Sequence, residues 1–383
     1  MKPLFNLCFF IFFFYTISGQ TVNTYSTNAL WQSASSPFSP VVSRSGEISF
    51  RIMAPNASKV SLLFGEWDIK PKLLEKDTAG IWSIKIGPVS PGIYSYLFSI
   101  DGSRSPDLHN PIVKTGTELY SSIVEVPGVD SARFDEIQTV PHCTLQIVRY
   151  NSTPLKILRK LYICLPPSYY TSPNKHFPVL YLRHGGGDNE SSWTQESGRA
   201  DVILENLIAS NKAVPMIIVM SNGLTDGTWA GGSSKEGMIL LEDELLTDII
   251  PYMENNFRVL KGGNNRAIAG LSMGGGQAYI IGLRHTDTVS WIGEFSSGLL
   301  SDVKFDINER VPGVFNNPSV VNESIKLLFI GCGSDDPRFQ GHLELDANLK
   351  KLGIHHETYT MHGGHEWKVW REELRLFMTR IFK

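Results

Sequence analysis

The residues best suited to chemistry are a serine and its flanking glycines in the segment Gly270-Leu271-Ser272-Met273-Gly274. This segment fits the pattern G-x-S-x-G, in which a serine lies on a sharp turn between a strand and a helix. The surrounding sequence predicts that context, with a short strand at residues 266–269 and a helix at residues 275–284. Glycine at both ends lets the backbone turn tightly. We therefore predict that Ser272 is a nucleophile exposed at a helix N-terminus.

A serine hydroxyl is a weak nucleophile unless a nearby base removes its proton. In the matching strand–turn–helix enzymes, an acid and then a histidine follow the serine along the chain. His365 lies in a glycine-rich loop, Gly363-Gly364-His365-Glu366-Trp367, just before the last predicted helix. We predict that His365 is the base, and His362 is the closest alternative.

The acid that orients such a histidine is expected at the end of a strand. Asp335 and Asp336 follow the predicted strand at residues 326–330. Position alone leaves both carboxylates open, with the other one serving as a turn or helix N-cap residue.

Ester and amide chemistry also needs hydrogen-bond donors for the negative oxygen of the intermediate. One candidate is the backbone N–H of Met273, directly after the serine. The second is expected after the strand at residues 179–183, in the segment His184-Gly185-Gly186-Gly187. This segment resembles the H-G-G-G element of esterases, so Gly185 and Gly186 are the predicted donors.

Composition and histidine spacing argue against several other classes of protein. The chain has 383 residues and a net charge of −3, and no basic stripe stands out, so we do not expect a nucleic-acid partner. His362 and His365 do not fit a zinc pattern such as H-E-x-x-H. We expect neither a metal nor another cofactor.

The elements that must position these residues occupy residues 140–383. Apolar strands alternate there with helical patterns, which predicts a mostly parallel sheet with helices on both faces, the α/β-hydrolase class. The predicted strands are at residues 160–165, 179–183, 216–220, 266–269, 291–296, 326–330 and 356–360. The predicted helices are at residues 201–210, 241–255, 275–284, 339–352 and 367–382.

Residues 47–127 have a different pattern, which predicts a β-sandwich of immunoglobulin-like type. Short strands at residues 47–54, 58–64, 80–86, 92–101 and 121–126 are separated by turn signals. The aromatic stripe Tyr94, Tyr96 and Phe98 is typical of a core. Residues 21–46 are interpreted as a linker or arm, and the boundary between the two parts is expected near residues 128–140.

The N-terminus is interpreted as a signal peptide, residues 1–20, with a basic residue, an apolar run of about a dozen residues and small residues before Gln20. The alternative is an uncleaved membrane anchor, but the run is shorter than the ~20 residues needed to span a bilayer. We therefore expect a secreted or periplasmic protein without a membrane span after cleavage.

Three cysteines remain after that cleavage, too few for a disulfide scaffold. A turn centred between Thr153 and Pro154 would place Cys143 opposite Cys164, which permits a disulfide. We favour two unpaired thiols.

The same segments resemble a known family. Residues 181–187, 218–223, 244–252, 266–276, 332–336 and 363–370 are similar to the Putative esterase (esterase D-like) family, which includes the feruloyl and acetyl xylan esterases of carbohydrate esterase family one. The resemblance implies a cofactor-free Ser-Asp-His triad, with the acid on Asp336 rather than Asp335 and the histidine on His365. Ser334 stands where the family has Thr. Ser221 stands where many relatives have Pro, which separates this chain from them in a loop that could border the pocket.

Residues 47–126 resemble the module of carbohydrate-binding family forty-eight. The combination implies a secreted esterase that removes feruloyl or acetyl groups from a plant polysaccharide such as xylan. The alternatives are a siderophore esterase or acyltransferase on the same fold, and a glycan-binding protein without activity. We expect the module to hold the polymer and to add little to the chemistry, with Trp67 as its candidate stacking residue. Trp193, Trp229 and Trp367 are candidates for an aromatic wall around the acyl group.

Overall fold

The N-terminal strands form two antiparallel sheets in the computed structural model, which describes residues 39–128, 132–297 and 307–383. One sheet has the order β1-β2-β6-β5, and the other has the order β4-β3-β7-β10-β9 with β8 paired to β7. The strands are β1 (Val41–Val42), β2 (Ile48–Met53), β3 (Val60–Phe64), β4 (Lys72–Leu73), β5 (Glu75–Lys76), β6 (Ile81–Ile86), β7 (Gly92–Ile100), β8 (Ser103–Ser105), β9 (Val113–Thr115) and β10 (Leu119–Val126).

These two sheets, which we call the N-terminal module, share one hydrophobic core. Phe50 of β2 and Tyr96 of β7 come from different sheets, and their ring centroids are 4.7 Å apart. Tyr96 and Phe98 are fully buried, and Tyr94 packs against the same cluster, as the aromatic stripe predicts. The segment interpreted as an arm reaches into the module, because its residues Val41 and Val42 pair with β2.

Eight further strands form one mixed sheet with the order β11-β12-β14-β13-β15-β16-β17-β18. Strand β12 is antiparallel to both of its neighbours, β11 and β14, and all the other neighbouring pairs are parallel. The strands are β11 (Thr144–Ser152), β12 (Ile157–Leu165), β13 (Val179–Arg183), β14 (Ile217–Ser221), β15 (Arg266–Leu271), β16 (Trp291–Phe295), β17 (Leu327–Gly333) and β18 (Glu357–Met361).

Helices cover both faces of this sheet, because alternate side chains of its strands enter two different cores. Val179 and Tyr181 belong to one core, and Leu180 and Leu182 belong to the other. The helices are α1 (Ala200–Ala209), α2 (Lys235–Glu244), α3 (Ile250–Asn256), α4 (Met273–Arg284), α5 (Ile307–Arg310), α6 (Pro318–Ser324), α7 (Phe339–Leu352) and α8 (Trp367–Met378). Helices α1 and α8 pack in the Leu180 core, and α2, α3, α4 and α7 pack in the Val179 core.

The predicted helix at residues 241–255 differs most from the structure. It begins earlier, as α2, and passes through a π-helical turn at Leu245–Ile249 before α3. Pro251 stands at the start of α3, where the missing N–H of proline is tolerated. A π-helical turn contains one residue more than an α-helical turn, and the apolar periodicity alone does not indicate it.

The hairpin of β11 and β12 has a register different from the one that would pair the cysteines. Its loop spans residues 153–156, so Cys164 lies opposite Leu145 and Cys143 lies just before β11. Lys156 supplies the left-handed residue of that loop, with φ 57°. Both thiols are free.

The signal peptide and most of the arm, residues 1–38, lie outside the described residues. In the part of the chain that the structure describes, no helix is long and apolar enough to cross a membrane.

Candidate active site

Ser272 lies between β15 and α4 in a strained backbone conformation, with φ 51° and ψ −115°. A positive φ is unfavourable for any residue other than glycine, and such strain is concentrated at functional sites. The turn is tight enough to require the two glycines: a Cβ on Gly270 would lie 2.5 Å from the backbone of Gly274, and one on Gly274 would lie 2.8 Å from Arg183 Cβ. The strand–turn–helix context predicted for this segment is present.

A histidine and an aspartate follow the serine in a chain of hydrogen bonds. His365 Nε2 lies 3.0 Å from Ser272 Oγ, and His365 Nδ1 lies 2.6 Å from Asp336 Oδ2. In the tautomer that suits both contacts, Nδ1 donates to the carboxylate and Nε2 accepts from the serine hydroxyl. Asp336 is buried, and its other oxygen accepts the N–H of Arg338.

The competing residues pair with each other at the surface. His362 Nδ1 lies 3.0 Å from Asp335 Oδ2, and the His362 side chain is 86 % exposed. The structure therefore brings Asp336 and His365 to Ser272 and leaves Asp335 and His362 outside this arrangement.

The histidine keeps the Asp336 carboxylate ionised in spite of burial. Burial alone would raise its pKa, but the hydrogen bonds and electrostatic attraction of His365 and Arg338 together outweigh that effect, and the pKa is lowered overall. Two other acids nearby behave in the opposite way. Burial raises the pKa of Glu294 to about 8, and repulsion from Asp336 adds to that shift. Burial also raises the pKa of Glu373 well above its usual value, with repulsion from Glu294 and Asp336 adding to it. Neutral Glu294 and Glu373 leave Asp336 as the charged carboxylate beside the histidine.

The glycine loop, residues 184–187, lies beside the serine. A Cβ on Gly185 would be 3.4 Å from Ser272 Cβ, so this backbone comes close to the candidate nucleophile. The N–H of Gly187 is occupied, because it donates to Trp229 O at 2.7 Å. Gly185 and Gly186, together with Met273 at the first position of α4, remain the candidate donors.

His184 fixes the start of this loop, a role that the sequence reading missed. Its Nε2 accepts the N–H of Gly223 at 2.7 Å, and its Nδ1 lies 2.8 Å from Gly185 O. Burial lowers the pKa of His184, which favours the neutral ring that this pattern requires. The signal was available in H-G-G-G, whose first residue we used only to locate the glycines.

The serine opens into a cavity of about 340 Å³ that both parts of the chain line. That volume falls within the usual size range of small-molecule sites. The parallel-sheet part contributes Ser272, His365, Gly185, Gly186, Asp188, Leu271, Trp229, Trp367 and Trp370. The N-terminal module contributes Gly65, Glu66, Ile69, Ser95, Leu97, Lys114, Tyr120 and Ser121. The expectation that the module adds little to the chemistry does not fit this shared lining.

The module also contacts the glycine loop directly. Gly187 O accepts hydrogen bonds from Thr117 N at 2.8 Å, Thr117 Oγ1 at 3.0 Å and the Tyr120 hydroxyl at 3.0 Å. Lys114 Nζ forms an ion pair with Asp188 at 2.6 Å and lies 4.5 Å from the centre of the Tyr120 ring. A charged pair and three hydrogen bonds therefore hold the segment that follows the candidate oxyanion donors.

The four candidate tryptophans have different positions. Trp229 and Trp367 line the cavity, whereas Trp193 is buried behind Trp367 with 5.1 Å between ring centroids. Trp67 is 41 % exposed, but its ring lies against Gly364, next to His365. Its position in the chain gave no sign of this contact.

Among the described residues, no group of three or more His, Cys, Asp or Glu side chains could hold a metal ion. The expectation of a cofactor-free site stays a prediction.

A family model described as "Putative esterase" matches residues 152–378, more than half of the chain. The chain belongs to this esterase family. Ser272, Asp336 and His365 all lie within the matched region.

The esterase is similar to an endo-1,4-beta-xylanase/feruloyl esterase of Xylanibacter ruminicola, with 31% identity over 351 residues. The match covers 90% of this chain and 46% of the relative, so the chain spans less than half of the length of that protein. A solved ferulic acid esterase is 26% identical with a TM-score of 0.52, and the match covers 62% of this chain and 97% of that one.

An enterobactin esterase of Shigella flexneri shares the fold over a longer stretch. Its TM-score is 0.66 at 16% identity, and the match covers 92% of this chain and 97% of that one. At this identity the likeness concerns the fold alone.

Proposed function

We propose that this esterase is a secreted serine hydrolase that removes acyl groups, feruloyl or acetyl, from a plant polysaccharide such as xylan. Ser272 is the nucleophile, His365 the base and Asp336 the acid that orients the histidine. The observation that carries the proposal is the hydrogen-bonded series from Ser272 Oγ through His365 to Asp336, next to a cavity.

The reaction has two steps in this proposal. Ser272 Oγ attacks the ester carbonyl while its proton moves to His365 Nε2, and the charged ring is stabilised by Asp336. The N–H of Met273 and that of Gly185 or Gly186 receive the negative oxygen. The C–O bond then breaks, His365 returns the proton to the leaving alcohol, and the acyl group remains on Ser272. Water, deprotonated by His365, hydrolyses this acyl-enzyme and restores the serine.

The cavity favours an aromatic acyl group over an acetyl group. Trp229 and Trp367 line it together with Tyr120, and rings of this kind bind planar aromatic groups well. The Lys114 ammonium has three donors, and Asp188 accepts one of them at 2.6 Å. A feruloyl group offers a flat ring and oxygen substituents for such a site, whereas an acetyl group would leave most of the cavity unfilled.

Three further parts of the proposal come from the sequence and from relatives. The signal-like residues 1–20 support secretion, and the similarity to a xylanase/feruloyl esterase supports a plant-cell-wall ester. We also propose a β-sandwich module at residues 47–127 and an esterase domain at residues 140–383, on the basis of their separate sheets.

The second candidate is a siderophore ester, supported by the fold shared with the enterobactin esterase over 92% of the chain. The two candidates are separated by kcat/KM on methyl ferulate, acetylated xylan and a catecholate siderophore. We expect methyl ferulate to be the best of the three. A higher kcat/KM on the siderophore would favour the second candidate, and a higher value on acetylated xylan would contradict the aromatic acyl group.

A further inference from the structure

The histidine loop, residues 363–366, is held on both sides by the N-terminal module. The contacts come from the segment that follows β3, which contains Glu66 and Trp67. This segment lies some 300 positions away in the sequence, with a separation of 301 between Glu66 and Trp367. The loop itself contains the proposed catalytic base, His365.

The first contact is a hydrogen bond to the helix that begins after the loop. Glu66 Oε2 accepts the N–H of Trp367, the first residue of α8, at 2.8 Å. The first N–H groups of a helix have no partner within the helix, and a carboxylate there is favoured by hydrogen bonding and by the helix dipole. Glu66 therefore acts as the cap of α8, supplied by a different part of the chain.

The residue that normally caps such a helix has another partner. Glu366 is the N-cap residue of α8, and within the described residues its side chain makes no capping bond. Its Oε1 instead accepts the N–H of Gly364 at 3.2 Å, which keeps the loop closed on itself. Among the described side chains, Glu66 is thus the one that caps the N-terminus of α8.

The second contact fixes the other side of the loop. The Trp67 ring covers the Cα of Gly364 so closely that a Cβ there would overlap the indole. Glu66 is itself held in place, because Ser95 Oγ donates to its Oε1 at 2.7 Å. His365 therefore lies between two residues that the module contacts: Gly364, which Trp67 covers, and Trp367, which is bound by Glu66.

We infer that Glu66 of the N-terminal module is a positioning residue for His365, acting through its hydrogen bond to the N-terminus of α8. This inference rests on the proposed role of His365. A misplacement of about 1 Å in a reacting group can lower a rate by about a hundredfold. The module then contributes to the chemical step as well as to the cavity.

Two substitutions of Glu66 distinguish the effect of its side-chain length from the effect of its negative charge. Glu66→Gln keeps the length and an oxygen acceptor for the Trp367 N–H but removes the charge. Glu66→Asp keeps the charge but is one methylene too short to reach that N–H from the same backbone position. We expect Glu66→Gln to keep kcat for p-nitrophenyl acetate within about threefold of the wild type, and Glu66→Asp to lower kcat by about tenfold or more.

The readout that distinguishes positioning from general stability is the split between kcat and KM in the full-length protein. Glu66→Asp should lower kcat with a KM within about threefold of the wild type, and its circular dichroism should match that of the wild type. Lys70→Ala is the matched control, because Lys70 lies in the same segment, its side chain is 83% exposed, and its ion pair is with the exposed Asp68. That control should have wild-type kcat.

Wild-type kcat in Glu66→Asp, or a larger loss in Glu66→Gln than in Glu66→Asp, would overturn the inference. If Glu66→Asp does not fold, Glu66→Ala provides the second test, because alanine removes the acceptor of the Trp367 N–H. Glu66→Ala should have a lower kcat than Glu66→Gln with a KM within about threefold, and equal kcat in both would overturn the inference. The proposed catalytic role of Ser272 is tested separately, since its failure would appear as activity in Ser272→Ala whatever the residue at position 66.

Discussion

At the residue scale, the choice of acid follows from which carboxylate the histidine reaches. Asp336 is buried and lies 2.6 Å from His365, whereas Asp335 pairs with the exposed His362. Asp336→Asn should lower kcat by several decades, because the amide favours the wrong tautomer of the histidine. Asp335→Asn should remain near the wild type. Steady-state kinetics on methyl ferulate measures both, and a larger loss in Asp335→Asn would move the acid to that position.

The base is tested in the same way, with the neighbouring histidine as its control. His365→Ala removes the group that lies 3.0 Å from Ser272 Oγ, so kcat should fall by several decades. His362→Ala removes an exposed contact with Asp335 and should change kcat by less than about twofold. Equal losses in the two variants would show that the wrong histidine has been chosen.

The assignments of the acid and the base show which parts of the candidate site can be predicted from the sequence. The motif spacing located Ser272, the loop of His365 and the pair Asp335–Asp336, because strand ends and glycine-rich turns leave clear signals. The decision between the two aspartates required either the family resemblance or the structure, since adjacent residues share the same local pattern and differ only in the direction of their side chains.

At the element scale, the turn between β15 and α4 is limited by steric space. A Cβ on Gly274 would lie 2.8 Å from the Arg183 side chain and from its carbonyl carbon. Gly274→Ala should therefore displace Ser272 or the glycine loop and lower kcat by about tenfold or more, while also destabilising the fold by about 1–3 kcal/mol. Gly227→Ala is the control, because nothing lies within 4 Å of its Cβ position. Unchanged kcat and unfolding midpoint in Gly274→Ala would contradict the proposed fit.

Helix α7 contains a histidine that makes stability depend on pH. His342 is buried against the ring of Phe339, and burial lowers its pKa to about 4, with Asp346 opposing the shift and His356 adding to it. The unfolded chain binds a proton near pH 6.5, so it holds more protons than the folded chain between pH 6.5 and 4. Stability is therefore lost as the pH falls through this window.

The effect can be isolated by removing the titrating group. Between pH 7 and pH 4.5, His342 should account for about 2.5 kcal/mol of the lost free energy of unfolding. Urea unfolding of His342→Phe should show a correspondingly smaller loss over the same interval. An identical loss in the wild type and the variant would mean that His342 is not the group responsible.

At the scale of the whole molecule, the two parts of the chain line the candidate active site together. The sequence predicted the longer strands of each part, since alternation and turn residues are local signals, and it missed the strands of two or three residues. It gave no sign of the contacts from Glu66, Trp67, Thr117 and Tyr120 to the loops around Ser272, because those contacts join positions far apart in the chain. The sequence patterns implied that the N-terminal module binds the polymer while the other part carries out the chemistry. The structure instead shows one cavity lined by both parts.

Removal of the N-terminal module should therefore abolish turnover of even a small ester. A variant lacking residues 21–127 loses the Glu66 cap of α8, the Gly187 hydrogen bonds and half of the cavity lining. Full activity on p-nitrophenyl acetate by a truncated protein with native circular dichroism would contradict this prediction. The module would then act only on the polymer.

The central claim is that this chain hydrolyses esters through Ser272, and one comparison tests it most directly. The initial rate of methyl ferulate hydrolysis is measured for the wild type and for Ser272→Ala at equal protein concentration, with circular dichroism to verify the fold. We predict clear turnover by the wild type and a loss of at least about ten-thousandfold in Ser272→Ala, as expected when a triad member is removed. A rate in Ser272→Ala within about tenfold of the wild type would contradict the account.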